Sequence, residues 1–404
     1  MDLSRRDWMY AAGAAAWQSA AGATAELPAK SDFEVVKSET CLNNARWHPI
    51  SVGATRAVQD YLKYKASGGG INALDHSGEM QKRVKIQFAE LIHARPSEIS
   101  FVPSTTVGEN LVTASLDLPR AGGNVVTDAL HFDGSLYQYA VMAKQGFDVR
   151  MVRPREGRIE LSDMEKVIDS KTKLVAVSLV SMINGFQYDL KALCDLAHSR
   201  GALVYVDGVQ AIGAVPFDAH VSGVDFCACA SYKWLMGDMG LGFLYVREDL
   251  LGRLQRSQYG FRQLAATEYH VFPYDPPGSA VMDWTAANDA GGHFEVGTVA
   301  NGTVACLTYS LDYLKRLGVE NIQAHRQPLL RRLQKEMPRL GFEPMTPADS
   351  TSPIVTFAKK DTKDIPQRLK RANVDIAVYP HRVRVSPSVY NDQADVDKLL
   401  EALS

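Results

Sequence analysis

The chain has almost no excess of either charge. Lys and Arg number 44 against 46 Asp and Glu, a formal net charge of −2 over 404 residues. No basic block stands out, which argues against a nucleic-acid footprint. Cysteine is scarce: Cys41, Cys194, Cys227, Cys229 and Cys306 show no metal-ligand spacing. An odd count gives no disulfide framework. Cys227 and Cys229 alternate within the apolar run Phe226-Cys-Ala-Cys-Ala, where packing is their expected role. Long hydrophobic runs are absent too. The mildly apolar stretch from Ala11 to Ala25 is interrupted by Gln18 and Ser19, too short and polar for a stable membrane span. No internal repeat is visible, and no low-complexity segment lies beyond that stretch. What remains is a chain long enough for a large α/β domain and a smaller one.

The beginning of the chain carries an address. Ser4-Arg5-Arg6-Asp7-Trp8-Met9 resembles the twin-arginine export motif, and Ala23-Thr-Ala25 offers a cleavage site before Glu26. Residues 1–25 are therefore expected to be a signal peptide, with the mature protein periplasmic or secreted. A leader without that function would leave it cytoplasmic.

From Ile99 to about Gly260, strand-like runs alternate with helical ones: Asn124–Thr127, Asp148–Val152, Leu174–Leu179, Leu203–Val206 and Leu241–Val246. That alternation predicts βαβ units and a mainly parallel sheet. Ala54–Tyr64 and Glu79–His93 have helical periodicity, residues 261–292 read as loop, and a long helix is expected from Gly302 to Lys315. Leu203–Val206 suits a buried parallel strand, so Asp207 falls at the carboxyl edge of the sheet, where open α/β folds place ligands. The next strand leads into Ser231-Tyr-Lys233-Trp-Leu. A lysine in such a turn can be partly desolvated, and desolvation favours the neutral, nucleophilic amine that a Schiff-base lysine requires.

Three ordered motifs, V-D207-x-x-Q210-x-x-G, S231-Y232-K233-W-L and Phe294-Glu-Val-Gly-Thr298, resemble fold-type I pyridoxal 5'-phosphate enzymes of the class V aminotransferase group. That group includes cysteine desulfurases, isopenicillin N epimerase and kynureninase. The resemblance runs from about Asn43 to the end and implies an α/β fold with a seven-stranded-type, mainly parallel sheet between helices. It implies a segment at 26–50 lining the active site, a large cofactor domain at 51–300 and a small C-terminal α/β domain at 301–404. Lys233 would bind the aldehyde, Asp207 the pyridine nitrogen, Gln210 the phenolic oxygen, and Thr105 and Thr106 the phosphate, helped by Ser231 and Tyr232. Read blandly, the threonine loop is only a helix cap with Glu109 as capping partner. Thr298 would reach the phosphate from the other subunit of a homodimer with shared sites. Either Phe132 or His131 would stack on the ring, depending on the register taken through Leu130–Tyr137. Arg384, in an R-x-S-x-x-x-Y-N stretch, would clamp a substrate carboxylate, with Arg382 as rival. Asn44 and Arg262 are further substrate-binding candidates.

The departures bear on the reaction. Desulfurases carry a nucleophilic cysteine just before the C-terminal arginine, but residues 373–383 here contain none. Met182 stands where desulfurases usually have asparagine. Chemistry at the α-amino group of an amino acid is expected, with transamination or epimerisation leading. A lyase or hydrolase outcome, kynureninase-like or acting on C–S bonds, is the alternative, as is tailoring of an exported peptide. A non-catalytic sensor is a weaker third reading.

Overall fold

Short apolar runs build the centre of the molecule because they are buried on both faces. The computed structural model describes residues 27–70 and 73–404; the expected leader lies outside the described residues. Seven strands, β1 (Ile99–Val102), β2 (Asn124–Asp128), β3 (Asp148–Val152), β4 (Thr172–Ser178), β5 (Leu203–Asp207), β6 (Phe226–Ala230) and β7 (Gly242–Val246), form one sheet. Their spatial order is β1-β7-β6-β5-β4-β2-β3. β7 runs antiparallel to both neighbours, and the other pairings are parallel. Val175, Val177, Val204, Val206, Cys227 and Cys229 bury one face, while Leu174, Ala176, Tyr205, Phe226 and Ala228 bury the other. Burial of each large side chain contributes roughly 1.5–3 kcal/mol, and two-sided burial erases the polar alternation of an exposed sheet.

A second sheet of four antiparallel strands, β10 (Glu343–Pro344), β11 (Val355–Ala358), β12 (Ala377–Tyr379) and β13 (Arg382–Val385), lies near the C-terminus in the order β10-β11-β13-β12. The expected boundary after residue 300 does not match the packing. Helix Asn301–Leu317 sends Val304, Leu307, Leu311 and Leu314 into the core of the large sheet. The separate C-terminal core begins at Leu329 and recruits Leu42 from the other end of the chain. A further expectation fails. Residues 261–292 are not merely loop, because β8 (Leu264–Tyr269) and β9 (Met282–Ala286) pair as an exposed hairpin. Val319–Glu336 is a long helix that the pattern concealed, since Pro328 interrupts it and little of it is apolar. No described helix is long and apolar enough to cross a membrane.

Candidate active site

A cleft opens at the carboxyl ends of β4 and β5, and it is lined by Ser178, Asp207, Tyr232 and Lys233, with Thr105, Phe132, Met182 and Gln210 around them. Its empty volume is about 310 Å³. The lysine turn is held tightly. Met236 N–H donates to the Lys233 carbonyl at 2.8 Å, and Gly237 N–H to the Ser231 carbonyl at 2.9 Å. Gly213, at φ +86°, lets the turn approach; a Cβ there would lie 2.6 Å from the Trp234 carbonyl oxygen.

Lys233 is only 8 % exposed. Burial lowers its amine to about 8, against the attraction of Asp207, and the Arg384 guanidinium pushes the same way. Its Nζ stands 5.6 Å from the Tyr232 ring centre. Burial also raises the Asp207 carboxyl above its usual value, opposed by His131, the Val209 N–H and Lys233. The Val209 N–H donates to Asp207 Oδ1 at 2.9 Å. The Ser104 hydroxyl caps helix Thr105–Ser115 by accepting from the Val107 N–H at 3.2 Å. Thr105 is buried at the cleft, whereas Thr106 is exposed beside it. Glu109 is no capping partner; its carboxylate turns inward to Tyr139 and His131.

The choice between His131 and Phe132 has a clear geometric outcome. Phe132 lines the cleft. His131 is fully buried behind it, with Nδ1 2.8 Å from the Ser178 hydroxyl. Gln210 lines the cleft too, but its amide is partly committed: Nε2 donates to the Ala45 carbonyl at 2.9 Å and Oε1 accepts from Trp234 Nε1 at 2.9 Å. One further amide N–H remains on that side chain.

Three candidates are spent on the scaffold instead. Ser231 donates its hydroxyl to the Leu241 carbonyl at 2.8 Å and so braces the lysine turn. Asn44 is fully buried; Nδ2 donates to the Ser386 carbonyl at 2.9 Å and Oδ1 accepts from the Tyr390 hydroxyl at 2.6 Å. Arg262 donates through Nε and Nη2 to Glu295 Oε2 at 2.9 and 2.6 Å. One amide N–H of Asn44 and Nη1 of Arg262 stay uncommitted among the described residues, but neither residue lines the cleft.

Arg384 behaves otherwise. It sits in β13, 3 % exposed, and Nη1 donates to the Met182 carbonyl at 3.0 Å, next to the cleft. Its Nε is buried with no partner among the described residues. Burial lowers its guanidinium below the ordinary value, with Arg382 and Arg46 adding to that and Tyr379 opposing it. Arg382 is turned onto the Tyr379 ring, 4.2 Å from its centre. Thr298 is exposed and borders another hollow, beside Phe101, Val107 and Gly240, rather than this cleft. All five cysteines are buried, and none lines the cleft. Ser178, Val180 and Val209 complete the wall and were missed, because nothing in their local sequence separates them from sheet packing.

The chain is similar to known proteins in family and in fold. The family model described as aminotransferase class-V matches residues 53–399. A probable cysteine desulfurase of Methanothermobacter thermautotrophicus is 29% identical over 298 residues, covering 73% of this chain and 71% of that protein. A cysteine desulfurase of Escherichia coli K12 is 27% identical over 361 residues, covering 84% and 86%. Among solved structures, the apo cysteine desulfurase of Thermococcus onnurineus NA1 superposes with a TM-score of 0.80 at 21% identity, covering 93% of this chain and 97% of that one. The cystine C–S lyase C-DES, in complex with its reaction product cysteine persulfide, gives a TM-score of 0.79 at 22% identity, covering 92% and 98%. These structural likenesses establish the fold.

Proposed function

We propose that this chain, which belongs to the aminotransferase class V family of pyridoxal-phosphate enzymes, is a lyase that takes the α-proton from an amino acid and expels a sulfur substituent from its β-carbon. The observation that carries this reading is the composition of the cleft: a buried amine, a buried carboxylate and an adjoining arginine, without a thiol. Moving sulfur onto the protein needs a thiol within reach. Elimination needs none, since sulfur departs with its own electron pair. The names of the relatives, desulfurases and a C–S lyase, concern the same bond, and they do not favour the aminotransferase or epimerase reading. When bound, pyridoxal phosphate supplies the electron sink for the pair left by proton removal.

The residues present suit that cofactor. Asp207 is buried with one hydrogen-bond donor, Val209 N–H, found on its carboxylate among the described residues. The helix beginning at Thr105 presents unpaired N–H groups to an anion. Lys233 would hold the aldehyde carbon and, once released, accept the α-proton as a neutral amine. Asp207 would hold the proton on the pyridine nitrogen. Phe132 would cover the ring, Gln210 would meet the phenolic oxygen, and Thr105, Thr106 and Tyr232 would meet the phosphate. The Arg384 fork would grip the substrate carboxylate through two parallel hydrogen bonds. Thr298, lying away from its own cleft, would serve the partner's site in a homodimer. As the Cα–H pair moves into the new Cα–Cβ double bond, the Cβ–S bond breaks and the thiolate or persulfide leaves.

An amino-acid panel with the reconstituted enzyme tests this. Cystine is expected to yield pyruvate, ammonia and cysteine persulfide, and a β-thioether amino acid to yield pyruvate, ammonia and the free thiol. Conversion of the cofactor to its amine form, or α-proton exchange without product, would replace the lyase by a transaminase or an epimerase. We further propose export through the twin-arginine route. Changing Arg5 and Arg6 together to lysine is expected to retain the protein in the cytoplasm, and undiminished export would overturn the assignment.

A further inference from the structure

Behind the cleft wall lies a buried charge pair that the chemistry above leaves unused. Glu109, in helix Thr105–Ser115, is 2 % exposed. Its carboxylate accepts from the Tyr139 hydroxyl at 2.7 Å, from His131 Nε2 at 3.2 Å and from the Ser135 hydroxyl. The basic group that meets it among the described residues is the His131 imidazole. A carboxylate removed from water persists as an anion only where a cation and donors meet it. His131 is held from both sides, since its Nδ1 reaches the Ser178 hydroxyl at 2.8 Å. Ser178 and Asp207 are direct neighbours in the register of β4 and β5, and both face the cleft. Glu109, His131 and Asp207 therefore occupy one buried cluster.

Electrostatics within that cluster point the same way. Burial opposes charge on His131, yet Glu109, Asp128 and Asp207 together raise it above its ordinary value. Burial works against the Asp207 anion, and His131 is the foremost influence restoring it. The other groups around Asp207 are Cys227 and Cys229 on β6, Tyr205 on β5, and Tyr232 and Lys233 on the following turn. Burial keeps those thiols and phenols neutral. Lys233 is a poor permanent counter-charge, because its amine falls to about 8 and is consumed when it bonds the aldehyde. His131 has no such competing duty.

We propose that Glu109 holds His131 as an imidazolium, and that this buried cation keeps Asp207 anionic and thereby keeps the cofactor's pyridine nitrogen protonated. Glu109 and His131 are positioning residues, because neither lines the cleft. The inference rests on the assignment of Asp207 to the pyridine nitrogen. Glu109 also repels Asp207 directly, so Glu109→Gln acts in two directions, and loss of the imidazolium is the larger.

Two measurements test this. In cofactor-free protein carrying ¹⁵N-histidine, the His131 ring is expected to be doubly protonated at neutral pH and to become singly protonated in Glu109→Gln. A neutral His131 in the unaltered protein would overturn the proposal, and this readout needs no variant to fold. In the holoenzyme, Glu109→Gln and His131→Gln are each expected to raise the pH midpoint of the visible cofactor band by about one unit, a tenfold change in proton affinity. A cofactor without its ring charge gives up the imine proton later. The double variant is expected to shift no further than either single one, because the two residues act as a unit. Asp207→Asn separates the failures. A shift in Asp207→Asn with none in the other variants sinks only this inference, whereas no shift in any variant sinks the Asp207 assignment beneath it.

Discussion

The cleft and the base of the β8–β9 hairpin each gather one arginine, one carboxylate and one lysine, and they treat them in opposite ways. At the hairpin base, Glu295 meets Lys85 at 2.5 Å, Arg262 at 2.6 Å and the Phe101 N–H at 3.0 Å. Burial would raise its carboxyl, but Lys85 and Arg262 hold it below the usual value. Each charge there is matched. At the cleft, Asp207, Lys233 and the adjoining Arg384 are buried more deeply than Lys85 and Arg262, yet no salt bridge joins them, and one Arg384 nitrogen is left bare. A protein does not leave buried charges short of partners without a return elsewhere. Paired charges hold the hairpin base in place; under-paired charges wait for a ligand.

The sharpest way to break this contrast is to exchange the lysines for alanine. Lys233→Ala is expected to abolish the visible band of the purified holoenzyme, and Lys85→Ala to leave it intact. Arg384→Ala is expected to raise KM for the amino acid roughly a hundredfold with cofactor binding preserved, as loss of a charged bidentate contact implies. The same change at Arg262 is expected to move KM little, so a large KM effect there would erase the distinction. Capture of pyridoxal phosphate by cofactor-free protein should depend on pH through Lys233, because only the neutral amine attacks. The Lys233 amine is lowered to about 8, so stopped-flow absorbance should show the rate climbing about tenfold per pH unit below that value and levelling above it. A profile still rising at pH 10 would mean an ordinary exposed lysine. Smallest of all, Arg262→Gln is expected to cost about 1–3 kcal/mol in urea unfolding, from a buried carboxylate that loses one partner, with turnover unchanged.

Much of the core of the site could be read from sequence because its physical demands are local. Burial on both faces writes β4, β5 and β6 as continuous apolar runs, and Asp207 and Lys233 follow them directly. Errors arose where a side chain's fate depends on distant partners. Asn44 is bound by Ser386 and Tyr390, Arg262 by Glu295, and Ser231 by Leu241. Glu109 sat at the spacing of a cap, and only its contact with His131 shows an inward role. The hairpin escaped notice because its strands are largely exposed and its far end carries Pro273, Pro276 and Pro277. The domain boundary was misplaced because Asn301–Leu317 is amphipathic in a way that suits either core.

The pairing of Thr40–Cys41 with Val374–Asp375, reinforced by Asn44 on Ser386 and Tyr390, sets an order of events during synthesis. The Thr40–Ala45 segment finds its seat on strands and turns that are translated last. Until those residues emerge, Thr40 and Cys41 have no strand to pair with. When they do, one pairing ties the last-made sheet to the Thr40–Ala45 segment, and through the Ala45 carbonyl to the cleft residue Gln210, so the cleft wall is complete only once the whole chain has been made.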